Sequence, residues 1–417
     1  MRVRNRGRGG SPSRPPRWAN HAAFSLCLWV RPVRTAGSEI RPYLAAVGRF
    51  LRASGGRSGA LPLSPTKGQN SALSKVSRGP CLSGVNRSAK VQSVERLMKI
   101  LVTGAAGMIG RKFCEALARR AEVGGKPVHK LTMVDAIEPV APADASFGVE
   151  TYQMDISIPG LAERILSEPP DIVYHLAAVV SGEAEADFDK GYRVNLTGTQ
   201  QIFEAVRQAQ NRPRVVFASS IAVFGMPFPE TIPQEYIPAP LTSYGTQKAI
   251  GELLLADYSR RGFFDGIGIR FPTICVRPGK PNKAASSFFS SIIREPLNGQ
   301  IAVLPVGDEV RHWFASPRAA VTFLFRAGAI DLSELGPRRN LNMPGVSATV
   351  GEMIASLEAV GGCGFTQLIQ REPDPTIQRI VDGWPQRVDA SRAQELGFTA
   401  EDSFEEIVRH YIEDELN

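Results

Sequence analysis

The sequence has no run of 18 consecutive apolar residues, so it contains no candidate for a helix that spans a bilayer. Its cysteines are few, and no two of them have the Cys-x-x-Cys or metal-ligand spacing that predicts a redox motif or a zinc site. We therefore expect no bound metal, and free, mostly packed thiols in a reducing compartment. The five cysteines are Cys27, Cys81, Cys114, Cys275 and Cys363.

Acidic residues are nearly absent from residues 1–97, which contain 18 Lys and Arg but only Glu39 and Glu95. The remainder of the chain contains 31 basic and 39 acidic residues, so the basic character of the whole chain comes from this leader alone. An acidic body gives no support for nucleic-acid binding.

The leader is rich in Arg, Ser, Gly and Pro, lacks hydrophobic periodicity and would bury little surface if it folded. Its apolar stretch Ala22–Val30 is too short to span a bilayer. Three interpretations stay open: translation starts at Met98, the leader targets an organelle, or it is a solvated basic tail that touches membranes or polyanions. We expect the first, with a cytoplasmic enzyme, and no chemistry from the leader in any of them.

The strongest signal near the start of the body is Met98–Gly110, MKILVTGAAGMIG. Apolar β-formers lead into glycines spaced Gly-x-x-Gly-x-x-Gly, and Arg111–Arg120 then has the pattern of a helix. A strand, a glycine turn and a helix N-terminus form a dinucleotide-binding unit, because glycine lets the backbone approach a pyrophosphate whose charge the helix dipole stabilises. The expected cofactor contacts in this turn are Gly104, Gly107, Met108, Ile109 and Gly110.

Strands alternate with helices after this turn, which predicts a parallel sheet with right-handed crossovers. We expect strands at Leu131–Asp135, Val149–Met154, Asp171–Leu176 and Arg214–Ala218, helices at Tyr192–Ala205 and Val350–Val360, and a loop at 123–130. The predicted fold is α/β, with a doubly wound Rossmann-type sheet in 98–270 and a smaller substrate-binding part with interleaved return strands and helices in 271–417. Ligands of such a sheet bind beyond the carboxyl ends of its strands.

Residues at these strand ends indicate which dinucleotide binds. A carboxylate at Asp135 can accept hydrogen bonds from the adenosine ribose and repels a 2′-phosphate, which favours NAD over NADP; a plain strand-end turn is the alternative. His175 stands in an apolar run and is expected to be a core histidine. Further cofactor contacts are expected at Asp155 and Ile156, beside the adenine, and at Leu176, Ala177 and Ala178.

Tyr244 and Lys248, in the segment YGTQK, stand four residues apart. Positions i and i+4 share one face of a helix, so the phenol and the ammonium can reach one pocket. A tyrosine of pKa about 10 is a poor base at neutral pH, but a neighbouring cation favours its ionised form. Ser220, at the end of the preceding strand, is placed to hydrogen-bond the reacting oxygen. A surface helix pair is the alternative.

Four segments together resemble the motif series of the extended short-chain dehydrogenase/reductase family, which includes nucleotide-sugar epimerases: TGAAGMIG at 103–110, LAA at 176–178, SSIAVFG at 219–225 and YGTQK at 244–248. The resemblance implies that Tyr244 is the catalytic acid/base, that Lys248 lowers its pKa and binds the nicotinamide ribose, and that Ser220 is the third member. It also implies that Asn195 organises a proton-relay water.

A narrower resemblance within the family is to dehydrogenases that oxidise the C2 hydroxyl of a four-carbon sugar acid with NAD. It rests on VSGEAE at 180–185, RPGKPN at 277–282, AASSFF at 284–289 and RHWFASP at 311–317. The basic residues of this region, which include Lys283, fit a small anionic substrate, because arginine can bind a carboxylate bidentately. Phe224 stands where many sugar epimerases have tyrosine. His312 is expected either to contact a polyol or to pack in the core. The expected substrate contacts are Ser181, Ser220, Tyr244, Arg277, Asn282 and Arg311.

The expected reaction is removal of hydride from C2 of an aldonate by NAD, with Tyr244 taking the hydroxyl proton. The expected partners are NAD and a small anionic polyol, without nucleic acid or membrane. A nucleotide-sugar epimerase or dehydratase is the first alternative, and a non-catalytic dinucleotide-binding protein is the second. The Ser220–Tyr244–Lys248 set argues against the second, because a binder needs none of the three. The sequence leaves the oligomeric state open, a homodimer being one alternative.

Overall fold

The computed structural model describes residues 98–279 and 286–416. Its strands are β1 (Met98–Thr103), β2 (Glu122–Val123), β3 (Lys126–Asp135), β4 (Gly148–Gln153), β5 (Ile172–His175), β6 (Arg214–Ser220), β7 (Asp265–Phe271), β8 (Thr273–Ile274), β9 (Ala302–Leu304), β10 (Arg311–Ala315), β11 (Asn340–Asn342), β12 (Val346–Thr349) and β13 (Ile369–Arg371).

The α-helices of the same residues are α1 (Met108–Arg120), α2 (Leu161–Ile165), α3 (Ser181–Ala186), α4 (Phe188–Gly191), α5 (Thr199–Ala209), α6 (Ser243–Arg260), α7 (Ser287–Leu297), α8 (Pro317–Ala329), α9 (Val350–Gly361), α10 (Pro375–Asp382), α11 (Ser391–Glu395) and α12 (Phe404–Glu415). A π-helix at Tyr192–Gly198 joins α4 to α5. Within the described ranges, no helix is both long and apolar enough to cross a membrane.

The main sheet has the strand order β11-β7-β6-β5-β1-β3, and both β2 and β4 pair with β3. Its pairs are parallel except for β2 with β3. From β1 the chain moves outward through β3 to β4 and then returns to β5 on the other side of β1. The order therefore reverses between β1 and β5, the position at which doubly wound sheets bind ligands. The predicted doubly wound α/β fold is confirmed.

Helices bury apolar side chains against both faces of the main sheet. On one face, α1 and α8 contribute Phe113 and Phe323. On the other, α5 and α6 contribute Phe203 and Leu255. A separate core around Phe289 belongs to the C-terminal part, where α7, α9 and α12 surround the short strands β9 and β10. The two-sided covering explains why the central strands are almost wholly apolar.

Trp313 connects the C-terminal part to the end of β6. It lies on β10, which pairs with β8 and β12 in a three-stranded sheet, and it packs with Ile221 and Val223 in a small cluster that follows β6. The indole N–H donates to the Met343 carbonyl at 3.2 Å. The segment after Ser220 is therefore held by side chains from distant parts of the chain.

Residues 123–130 were predicted to form a loop, and this prediction is wrong. They form a β-hairpin in which Glu122 of β2 lies opposite Pro127 of β3. Gly124 and Gly125 have φ values of 59° and 73°, and two successive residues with positive φ make the tight turn that fits the twist of a hairpin. The glycines thus form a turn between strands, and β3 begins earlier than its apolar residues suggested.

The helix predicted at Tyr192–Ala205 is longer, because α4, the π-helix and α5 continue one another from Phe188 to Ala209. Asp187 caps its start by accepting a hydrogen bond from the Lys190 N–H at 2.9 Å. The helix predicted at Val350–Val360 is confirmed as α9, which begins with a capping box formed by Thr349 and Glu352.

Replacing Phe113 with alanine tests the sheet–helix packing. The Phe113 ring is fully buried, and its centroid lies 4.4 Å from that of Tyr174 and 5.0 Å from that of Phe325. The cavity should lower the free energy of unfolding by about 3–5 kcal/mol. Urea unfolding followed by circular dichroism measures it, with Ile137→Ala, at a side chain that is 71% exposed, as the control. Equal stabilities of the two variants would contradict this packing.

Candidate active site

The glycine turn lies between β1 and α1, at the carboxyl edge of the main sheet. Gly104 has a φ of +76°, and a Cβ there would lie 2.6 Å from the backbone nitrogen of Ala177. A Cβ on Gly110 would lie 2.1 Å from the Gly104 carbonyl oxygen. Both glycines are therefore needed by the packing of the protein itself. Gly107 is exposed, and a Cβ there would meet only the Gly104 oxygen, at 3.3 Å.

Helix α1 begins directly after the exposed Gly107. Gly107 is the N-cap residue, so the N–H groups of Met108 and Ile109 have no acceptor within the helix. The first turn contains no acidic residue, and the helix runs for 13 residues. Free N–H groups and the positive end of the helix dipole favour an anion at this position, as a diphosphate requires.

Asp135 joins the glycine turn to the end of β3. One carboxylate oxygen accepts a hydrogen bond from the Ala106 N–H at 3.0 Å, and the other accepts one from the Ile137 N–H at 3.1 Å. A carboxylate has about four acceptor positions, so capacity for ribose hydroxyls remains.

The remaining residues expected at the cofactor lie along the same edge. Leu176, Ala177 and Ala178 follow β5, are half-buried, and are fixed to β1 by the Leu176 N–H, which donates to the Thr103 carbonyl at 3.0 Å. The Asp155 carboxylate accepts from the N–H and hydroxyl of Ser157, at 2.9 and 2.6 Å.

Ile156 is buried beneath this edge. A Cβ on Gly198, in the π-helix, would lie 3.0 Å from the Ile156 side chain. The structure thus gives Ile156 a packing contact with the π-helix, whereas Asp155 forms a local turn.

The start of α6 lies directly against the turn that follows β6. A Cβ on Gly245 would lie 2.1 Å from the Ala222 carbonyl oxygen, and Thr242 caps the helix by accepting from the Gly245 N–H at 3.0 Å. This close approach brings Tyr244 beside Ser220. Desolvation raises the pKa of Tyr244 to about 12, and the Ser220 side chain acts in the opposite direction.

Lys248 lies one helical turn further along and is 4% exposed. Its ammonium donates to the Ala218 carbonyl at 2.8 Å and lies 5.1 Å from the centroid of the Phe217 ring and 5.7 Å from that of Tyr244. Burial lowers the pKa of Lys248 to about 8, and the Glu252 carboxylate counteracts this. The structure therefore brings Ser220, Tyr244 and Lys248 together.

Asn195 is buried in the π-helix and clamps the loop after β5. Its side-chain oxygen accepts from the Val179 N–H at 2.8 Å, and its amide donates to the Val179 carbonyl at 3.1 Å and to the Gln247 side-chain oxygen at 2.7 Å. Both amide hydrogens of Asn195 are used in these bonds. Gln247, which the sequence reasoning missed, connects this loop to α6; its position inside YGTQK is the signal that could have identified it.

His175 is a core histidine, as predicted. One ring nitrogen lies 2.7 Å from the Thr103 hydroxyl and the other 2.9 Å from the Thr199 hydroxyl. Because the Thr199 hydroxyl donates to the Asn195 carbonyl at 2.7 Å, it accepts its bond from the ring. Burial, and secondly the charge of Lys248, lower the pKa of His175 to about 3, so the imidazole is neutral.

The two arginines expected at the substrate differ in their partners. The Arg277 guanidinium donates to the carbonyl and hydroxyl of Ser286 at 3.0 and 3.3 Å, and no carboxylate pairs with it within the described part of the chain. Arg311 donates to the Ser347 carbonyl at 3.1 Å and forms an ion pair with Glu352 at 3.3 Å. Arg277 thus has the less compensated charge.

Of the other residues expected at the substrate, the structure describes Ser181 and His312. Ser181 is half-buried at the start of α3. Asn282 and Lys283 lie outside the described residues. His312 is buried, lies 2.6 Å from the Thr273 hydroxyl, and stacks on Phe289 at an interplanar angle of 2°. These contacts favour packing as the role of His312.

The chain is similar in sequence to known proteins. The model of the NAD dependent epimerase/dehydratase family matches residues 100–324. A D-erythronate dehydrogenase of Cupriavidus necator is 45% identical over 321 residues, which are 76% of this chain and 98% of that protein. One of Haemophilus influenzae is 41% identical, over 76% of this chain and 99% of its own length.

The chain belongs to the NAD-dependent epimerase/dehydratase family. A solved structure described as a nucleoside-diphosphate-sugar epimerase, from Agrobacterium tumefaciens, has 60% sequence identity and a TM-score of 0.75, covering 77% of this chain and 95% of that one. The family resemblance expected from the sequence is confirmed, and the predicted cofactor, NAD, is the cofactor of the family. The names of the two relatives agree with the expected dehydrogenase.

The family's cofactor fits the edge built by these residues. Gly107 leaves an open face beside the free N–H groups of α1, where a Cβ would otherwise stand. Asp135 lies at the end of β3 with acceptor capacity to spare, and small side chains follow β5 at Ala177 and Ala178. These features fit a diphosphate at the start of α1 and a ribose at Asp135.

Replacing Asp135 with asparagine tests this cofactor assignment. Loss of the charge removes strong acceptors for the ribose hydroxyls and removes the repulsion of a 2′-phosphate. We expect the NAD dissociation constant to rise about tenfold and the preference for NAD over NADP to shrink. Titration calorimetry measures both, with the exposed Asp144→Asn as the control. An unchanged NAD affinity in Asp135→Asn would remove Asp135 from the site.

Proposed function

We propose that the protein oxidises the C2 hydroxyl of a four-carbon sugar acid, D-erythronate, to the 2-keto acid with NAD+. The observation that carries this proposal is the packing of α6 against the end of β6, which places Tyr244 beside Ser220 and the Lys248 ammonium 5.7 Å from the centroid of the Tyr244 ring. The identities of 45% and 41% to D-erythronate dehydrogenases support the substrate class.

Tyr244 acts as the base in the proposed reaction. A phenol with a pKa of about 12 is ionised in only roughly one molecule in 100,000 at pH 7, so its ionised form depends on nearby positive charge. Lys248, whose pKa is about 8, is mostly protonated at neutral pH and supplies such a charge. Bound NAD+ supplies the hydride acceptor and a second positive charge.

Ser220 positions the substrate for this proton transfer. Its hydroxyl accepts from the Ala222 N–H at 3.2 Å, which fixes the side chain at the end of β6, and it lowers the pKa of the neighbouring Tyr244. In the proposed reaction Ser220 hydrogen-bonds the C2 oxygen of the substrate and holds it within reach of Tyr244. The hydroxyl proton passes to the Tyr244 oxygen, and the C2 oxygen becomes a carbonyl.

Arg277 is the proposed partner of the substrate carboxylate. Among the described residues, its guanidinium donates hydrogen bonds to Ser286 and pairs with no acid. Desolvation lowers the pKa of Arg277, but an arginine stays charged at neutral pH. Arg311 is less suited, because Glu352 already pairs with it. Ser181, which opens α3 beside the cofactor edge, is proposed to contact the substrate hydroxyls, and Asn195 acts on this loop through its bonds to Val179.

A nucleotide-sugar epimerase is the second candidate function. It is favoured by the 60% identity to a solved structure described as a nucleoside-diphosphate-sugar epimerase. An epimerase would retain its cofactor through each cycle and release no NADH, whereas the proposed dehydrogenase releases NADH with every turnover. A spectrum of the reaction mixture separates the two functions.

The proposed function is tested by incubating the full chain with NAD+ and D-erythronate and following NADH by absorbance. Wild-type protein should form NADH, and Tyr244→Phe should form at least about a hundredfold less, because the base is absent. NAD binding should persist in Tyr244→Phe, measured by calorimetry. Absence of NADH with D-erythronate and related four-carbon acids would contradict the proposal, and full activity of Tyr244→Phe would exclude Tyr244 as the base.

A further inference from the structure

A buried polar cluster lies behind Lys248, on the side of α6 that faces the sheet. It consists of Ser219, Glu252, Arg270 and Asn342, none of which is more than 5% exposed. Neither the proposed binding of NAD nor the proposed proton transfer uses these side chains.

Glu252 connects three secondary-structure elements through one carboxylate. Its Oε1 accepts from the Ser219 hydroxyl of β6 at 2.6 Å and from the Arg270 Nε of β7 at 2.8 Å, and its Oε2 accepts from the Arg270 Nη2 at 2.7 Å. Arg270 also donates to the Asn342 side-chain oxygen at 3.1 Å. The buried carboxylate thus accepts three hydrogen bonds, two of them from a guanidinium.

Glu252 also shares a helix face with the two residues of the proposed mechanism. Tyr244, Lys248 and Glu252 stand at successive intervals of four on α6, and side chains at this spacing lie beside one another. The neighbouring residue of Ser219 is Ser220. One carboxylate therefore contacts the strand that carries Ser220 and stands one helical turn from Lys248 on the same face of α6.

The charged and titratable groups that face Lys248 come from α6, β5 and β7. On α6 they are Tyr244 and Glu252. On β5, His175 is buried and neutral. On β7, Arg270 is bound to Glu252. Among the described residues, Glu252 is the acid that acts on Lys248, and it counteracts the lowering of the Lys248 pKa by burial.

The buried ion pair of Glu252 and Arg270 adds little net stability, because the cost of removing two charges from water offsets their attraction. Stability alone therefore does not explain a carboxylate at this position. We propose that Glu252 is a positioning residue: its carboxylate keeps the ammonium of Lys248 charged and holds β6 against α6, so that Ser220 meets Tyr244. The catalytic part of this inference rests on the proposed function, whereas the effect on the charge of Lys248 does not.

The test measures the protonation of Lys248 directly, by NMR of the full chain labelled with 13C at the lysine ε-carbons. The Lys248 signal is assigned by its loss in Lys248→Met. Removal of an anion beside a cation lowers the pKa of the cation, so Glu252→Gln should move the Lys248 midpoint down by about one pH unit. Glu252→Asp retains the charge and should stay closer to wild type.

Glu401→Gln is the matched control. Glu401 is a similarly buried acid, 7% exposed, which accepts from the Ser316 N–H and contacts His410, and its replacement should leave the Lys248 midpoint unchanged. The double variant Glu252→Gln/Arg270→Gln leaves no unpaired buried ion and covers a failure of Glu252→Gln to fold. It should also lower the midpoint, but by less than Glu252→Gln, because the positive charge of Arg270 is removed as well. An unchanged midpoint in the folded Glu252 variants, or equal shifts in Glu252→Gln and Glu252→Asp, would overturn the inference.

The pH profile of NADH formation then tests the link to the reaction. The alkaline decline of activity should begin at a pH lower by the same interval in Glu252→Gln, because the charged form of Lys248 is lost earlier. A lowered rate with an unmoved alkaline limb would mean that Glu252 has a structural role only. Absence of NADH from the wild type would count against the proposed function and leave the NMR result valid.

Discussion

The candidate site depends on the close approach of α6 to β6. Gly245 touches the Ala222 carbonyl, and further along the helix a Cβ on Gly251 would lie 2.5 Å from the Phe217 ring. Any larger side chain at these two positions would push the helix away from the strand. Because Tyr244 and Lys248 are on the helix and Ser220 is on the strand, this single packing contact sets the distances within the proposed catalytic group.

The reversal of strand order between β1 and β5 forms the part of the candidate site that is proposed to bind the cofactor. It places the glycine turn of β1 beside the loop after β5, where a Cβ on Gly104 would strike Ala177. In the proposed function, the cofactor extends along this edge from the N-terminus of α1 toward Lys248. Close backbone contacts thus fix α6 against β6 and the glycine turn against the loop after β5. The side chains of the proposed site are therefore held by rigid elements.

Local patterns allowed much of the fold and of the site to be predicted. The glycine turn, the strand ends at Asp135 and Ala178, and the pair Tyr244 and Lys248 each follow from residues close together in the chain. The roles assigned to them stay predictions, whereas their common location at one sheet edge is a finding.

The contacts that were not predicted join residues far apart in the sequence. Arg270 meets Asn342 across 72 residues, and Asn195 meets Gln247 across 52, and no local pattern specifies such partners. Glu252 continued the four-residue spacing of Tyr244 and Lys248, so that signal was present. The pairing of Arg311 with Glu352 likewise depends on how β10 lies against the start of α9.

The central claim is that hydride leaves C2 of a sugar acid in the site formed by Ser220, Tyr244 and Lys248. It is tested most directly with D-erythronate that carries deuterium at C2, incubated with the full chain and NAD+. The expected product is reduced cofactor with one deuterium at C4 of the nicotinamide, detected by NMR. Reduced cofactor without deuterium would contradict this claim. Recovery of all the deuterated D-erythronate, with no cofactor reduced, would contradict it as well.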